Sequence, residues 1–142
     1  MAIKVCKVPY LNYEPYYFDM YSQEFELIES SPSGVRDLLV SGAIDAGPVP
    51  TADIPALDDQ FDPVGGFAIS TAASSGNLFL HAKHPISELD GHSIAIGGEG
   101  STAVKLLKLL LSNKYSLNNV SYVGQKDDHD AILVIGDPAL RT

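Results

Sequence analysis

Gly97-Gly-Glu-Gly-Ser-Thr102 places three glycines and two hydroxyl residues directly before an apolar run. Glycines let a backbone approach a ligand closely. Ser101 and Thr102 then either cap the following helix or donate hydroxyls to an anion at its N-terminus. The segment lacks the Gly-Lys-Ser/Thr ending of a P-loop and the spacing of a dinucleotide fingerprint. Ser74-Ser75-Gly76 is a second small-residue turn before a predicted strand, readable as a donor set or as a plain loop. Asn12, between Leu11 and Tyr13 in an aromatic-rich segment, can orient a carbonyl or hydroxyl but has no lone pair basic enough to take a proton near neutrality. It also suits an ordinary turn. Asp137 follows an apolar stretch and precedes Pro138, where it caps a helix or faces a cleft. His81, His84, His92 and His129 have no metal-ligand spacing, so no metal is expected. Cys6, the only cysteine, excludes an intramolecular disulfide and reads as a small buried apolar residue.

These residues must be positioned by a chain of 142 residues, enough for one ordinary domain or two very small ones. Alternation and apolar runs predict strands over residues 3–8, 25–28, 44–49, 63–69, 77–81, 92–96, 121–123 and 131–135. Helices are expected over 35–40, with N-cap chemistry from Ser31-Pro-Ser-Gly34, and over 103–113. The second carries leucines on more than one face and is expected to be largely buried. The run 131–135 reads as a strand of the buried parallel type. Strands alternating with helices indicate an α/β fold with mainly parallel sheets, in which ligands sit at the carboxyl ends of strands.

Nine basic against 18 acidic side chains give a net charge of −9. That argues against nucleic acid or an anionic membrane as partner, since both rest on clustered Lys and Arg. Residues 1–85 carry 4 basic and 11 acidic side chains, and residues 86–142 carry 5 and 7. An anionic ligand would therefore be tolerated chiefly through local hydrogen-bond donors such as helix-start N–H groups. No apolar stretch reaches the roughly 18 residues of a membrane span, and the first residues lack a leader-like apolar core. A cytoplasmic placement is the resulting expectation.

Taken together, the motifs resemble a known family. Val8-Pro-Tyr-Leu-Asn-Tyr-Glu-Pro15 is similar to the opening of the menaquinone-biosynthesis enzymes of the futalosine pathway, above all the chorismate dehydratases. Ser41-Gly-Ala-Ile-Asp-Ala-Gly-Pro-Val-Pro50, Ser75-Gly-Asn-Leu-Phe-Leu80, Pro85-Ile-Ser-Glu-Leu-Asp-Gly91 and Leu133-Val-Ile-Gly-Asp-Pro-Ala-Leu140 follow in family order. The resemblance implies a type II periplasmic-binding-protein-like fold of two lobes with mainly parallel sheets. It further implies a first lobe over 1–82 and a second over 83–142, both incomplete. Family members run to nearly twice this length, so the chain would be an amino-terminal portion. It would then dimerise or need a complementing second half.

The implied activity is loss of water from chorismate to give 3-enolpyruvylbenzoate, a carbon–oxygen lyase reaction requiring no cofactor. The elimination creates an aromatic ring, so the protein has mainly to fix carboxylates and hydrogen-bond the departing hydroxyl. Asn12 matches the family's active-site asparagine, with Tyr10 beside it in the same motif. Ser75, Gly76, Ser101, Thr102 and Asp137 would bind substrate, the hydroxyls and main-chain N–H groups holding its carboxylates. Gly100-Ser-Thr-Ala103 keeps only the threonine of the family's usual Ser-x-Thr-Ser and leans toward the sister enzyme that makes dihydroxynaphthoate. The alternatives are a non-catalytic small-anion-binding module of the same fold and an inactive truncated paralogue.

Overall fold

The computed structural model describes residues 2–22, 24–97 and 101–141, which divide into two compact units, 1–74 and 75–142. In the first, strand β1 (Ile3–Lys7) pairs in parallel with β2 (Phe25–Glu29), Val5 opposite Leu27. The connection holds a 3₁₀ turn (Leu11–Tyr13), one turn of helix α1 (Glu14–Tyr17) and a second 3₁₀ turn (Met20–Ser22). Helix α2 (Val35–Val40) follows, and Gly42 ends it at φ +70°, a left-handed value glycine adopts without penalty. Cys6, Val8, Val35, Leu39, Ile44 and Leu57 form the core.

The second unit is a four-stranded sheet ordered β3-β6-β4-β5: β3 is Leu78–Ala82, β4 Ser93–Ile96, β5 Ser121–Val123 and β6 Ala131–Ile135. β4 runs parallel to both β5 and β6, whereas β3 runs antiparallel to β6. Helix α3 (Ser101–Leu109) packs on it and continues through a wider π-helical turn, Leu110–Lys114. Leu89, Ile94, Leu107, Leu111 and Leu133 fill the core between helix and sheet.

Several expectations are revised. The division falls after Ser74, ahead of residue 82, because the strand Leu78–Ala82 pairs with β6 and so belongs to the second unit. The predicted strand 44–49 reduces to one parallel bridge, Val5 to Ala46; Pro48 and Pro50 have no N–H to continue a ladder. The predicted strand 63–69 is an exposed irregular segment, with Val64 83% and Phe67 80% accessible. The sheet of the second unit is mixed, since β3 opposes β6. Ser31 makes no side-chain cap; its Oγ lies 3.1 Å from that of Ser33, and a 3₁₀ turn (Pro32–Gly34) leads into α2. The long helix is buried on one face only: Leu107 and Leu111 are inside, while Leu106, Leu109 and Leu110 are exposed.

Candidate functional site

In the first unit, β1 and β2 end side by side, since the Ser30 N–H donates to the Lys7 carbonyl (3.0 Å). Residues 44–46 run beside β1 in the same direction, the Cys6 N–H donating to the Ala46 carbonyl at 2.8 Å. Three segments therefore leave at one end: Pro9 to Asn12, Ser30 to Ser33 and Gly47 to Pro50. Gly47 is required, because a Cβ there would lie 2.8 Å from Cys6 Cβ and 3.0 Å from Val35 Cγ1.

The Asn12 segment is fixed by an aromatic strut. The Val8 N–H, beyond the last ladder residue, donates to the buried Tyr17 hydroxyl at 2.9 Å. Burial pushes the Tyr17 phenol up to about 12, although the Val8 N–H opposes that shift. The Tyr13 N–H donates to the Tyr10 carbonyl (2.9 Å), closing the turn that carries Asn12. Tyr10 packs against the core, whereas Asn12 is exposed. Lys7 is engaged by Glu14 (3.4 Å) and lies over the Tyr21 ring, and the Tyr21 hydroxyl donates to Glu14. The positive charge at the end of β1 is thus already met by a carboxylate. Cys6 is fully buried, and burial raises its thiol, as suits an inert packing residue.

In the second unit the topology gathers the remaining candidates. Because β3 is antiparallel to β6, the start of β3 lies beside the end of β6, and the Gly136 N–H donates to the Asn77 carbonyl at 2.9 Å. Ser75 and Gly76 (φ +67°) therefore adjoin Gly136 (φ +75°) and Asp137. β4, parallel to β6, ends at the same edge and is followed by Gly97 and α3, whose first turn carries Ser101 and Thr102. Ser75 and Gly76 are exposed, while Thr102 and Asp137 are half-buried. Gly98, Glu99 and Gly100 of the predicted glycine cradle lie outside the described residues. Motif spacing misses Gln125: it follows β5, and its side-chain amide lies against Gly97, where a Cβ would displace it. Only a parallel β4–β5 pairing puts that amide at this end.

The structure thus brings Ser75, Gly76, Ser101, Thr102 and Asp137 to one end of one sheet. Tyr10 and Asn12 follow the carboxyl end of β1 in the other. An apolar groove of about 200 Å³ along α3, lined by Leu78, Phe79, Leu106 and Leu110, is a different surface with few polar groups for an anion. The histidines are not all scattered. His84 and His92 stack with ring centroids 4.6 Å apart, and His92 Nδ1 lies 3.1 Å from Asp130 Oδ2. Sequence spacing misses this because the three residues follow β3, precede β4 and precede β6, meeting only through strand pairing.

A two-unit α/β chain of this kind has counterparts among solved structures. A protein from Archaeoglobus fulgidus is similar over 99% of this chain and 56% of its own length, with a TM-score of 0.74 at 20% identity. The alkanesulfonate-binding protein of Xanthomonas axonopodis pv. citri, solved with MOPS bound, is similar over 96% of this chain and 55% of its own, with a TM-score of 0.57 at 16% identity. The periplasmic aliphatic sulphonate binding protein of Escherichia coli also aligns, over 97% of this chain and 55% of its own, at a TM-score of 0.48 and 18% identity. The architecture is type II periplasmic-binding-protein-like. The chain spans a little over half the length of each of these proteins. It belongs to the menaquinone-biosynthesis family, which matches residues 3–142. The expected cytoplasmic placement is corrected: the fold is shared with an alkanesulfonate-binding protein of periplasmic-binding-protein-like architecture, and no cytoplasmic location is assigned. No helix among the described residues is long and apolar enough to cross a membrane.

Proposed function

We propose that this chain is a small-anion-binding module of the menaquinone-biosynthesis family, holding a carboxylated ligand through main-chain N–H groups and hydroxyls. The observation that carries this reading is the gathering of Ser75-Gly76, Gly97, the first residues of α3, and Gly136-Asp137 at one end of the mixed sheet. Glycines at these turns admit a ligand to the backbone, and a helix start beside them favours negative charge. The Xanthomonas relative binds an alkanesulfonate, whose oxygens make the same demand for donors as a carboxylate. Asp137 in this group favours a ligand that also presents a hydroxyl.

A second reading, a chorismate dehydratase-like lyase, is favoured by family membership and by the tethered turn that presents Asn12. There Asn12 would orient the substrate, with one substrate carboxylate removing the ring proton. The exposed Leu106, Leu109 and Leu110 support a partner, either a second copy or a complementing second half. Calorimetric titration with chorismate, paired with chromatography for 3-enolpyruvylbenzoate, tests both readings. Binding without product supports the module. Product that disappears in Asn12→Ala supports the lyase. Neither binding nor product at high protein concentration refutes both.

A further inference from the structure

At the opposite end of the second unit's sheet, His84, His92 and Asp130 each offer a ligand atom, and these atoms lie within 4.8 Å of one another. We propose that the three residues bind one divalent transition-metal ion, Zn²⁺ being the best match, as a clamp across the ends of β3, β4 and β6. Two imidazole nitrogens and one carboxylate oxygen are the borderline donor set that suits zinc, with a fourth position left for water.

The geometry is partly built. His92 Nδ1 and Asp130 Oδ2 are 3.1 Å apart, close to the edge of about 3.3 Å in a tetrahedron with bonds of about 2.05 Å. The ion would replace the proton shared between those two atoms. His84 is exposed, and a side-chain swing of at most about 1.5 Å would bring it onto such a tetrahedron. Hydrogen bonds already orient the Asp130 carboxylate, whose Oδ2 accepts from the Ser93 N–H (3.0 Å) and hydroxyl (3.2 Å). Its backbone is fixed too, the Lys83 N–H donating to its carbonyl and its own N–H to the Ser93 carbonyl. Such outer hydrogen bonds hold a ligating carboxylate in position. Lys83, the neighbouring cation, is turned to the His129 carbonyl at 2.7 Å. Because the cluster lies at the far end of the sheet from Ser75, Thr102 and Asp137, the site is independent of the anion-binding reading.

Calorimetric titration of the full chain with ZnCl₂, in a buffer that does not chelate zinc, tests the proposal. The expected result is one ion per chain, with affinity falling at least tenfold in His84→Ala and in His92→Ala. His81→Ala and His129→Ala should bind as the unchanged protein does. Circular dichroism confirms that each variant is folded, and exposed His84 is the substitution least able to disturb the fold. Co²⁺ in place of Zn²⁺ gives a second readout, the intense visible absorption of four-coordinate cobalt, which His84→Ala should abolish. Absence of stoichiometric binding would overturn the proposal. So would weak binding of several ions that the substitutions leave unchanged.

Discussion

Replacing Tyr17 by Phe removes one oxygen from a fully packed side chain and tests how the Asn12 turn is held. The hydroxyl accepts the Val8 N–H at 2.9 Å, and both residues are buried. Without it the amide loses its partner in a place water does not reach, a loss of about 1–3 kcal/mol, while the ring keeps its packing. Urea unfolding followed by circular dichroism should show a lower midpoint at an unchanged slope. Hydrogen exchange should speed up at Val8 and its neighbours, and not in the second unit. A second signature follows from acid–base linkage. The phenol is raised from 10 to about 12 in the fold, so its contribution is complete below pH 10 and is lost as pH climbs through 12. That displacement corresponds to on the order of 2–3 kcal/mol, and Tyr17→Phe should lose less stability than the unchanged protein over this interval. A stability loss below about 0.5 kcal/mol, with exchange at Val8 unaltered, would refute the strut.

Two further outcomes are expected. Leu111→Ala, at a position 1% exposed, should cost about 2–5 kcal/mol in denaturant unfolding, whereas Leu109→Ala, 56% exposed, should stay within about 0.5 kcal/mol. The Asp130 carboxyl is lowered to about 2 by the Ser93 N–H and then by His92. Its stabilisation is therefore present above about pH 4 and lost as pH falls toward 2, and acid titration of Asp130→Asn should lack that component.

Sequence pattern and structure agree where local chemistry governs. The alternating Ile3–Val8 stretch, the 35–40 helix and the apolar 131–135 run each form the expected element, because periodicity acts within a few positions. They part where an element exists only through a partner. Residues 63–69 have a strand-like composition, but no strand among the described residues pairs with them. Residues 44–49 have a strand's apolar pattern, yet the two prolines leave a single bridge. The candidate site divides likewise. Glycine turns before or after strands are visible as motifs, whereas Gln125 beside Gly97 and the His84–His92–Asp130 cluster depend on strand order. An antiparallel β3 within an otherwise parallel sheet brings the Ser75-Gly76 turn to the end of β6, and strand direction is not written in apolar pattern.

The pairing of Leu78 with Ile135 also dictates a timetable. β6 leaves the ribosome after β3, β4 and β5, yet it sits between β3 and β4. Until it emerges, β3 has no partner among the described strands, and this unit remains a nascent intermediate of high contact order. The first unit, whose β1 and β2 lie close in sequence, is free to fold during synthesis, so chaperones and proteases would meet a molecule half finished and half waiting.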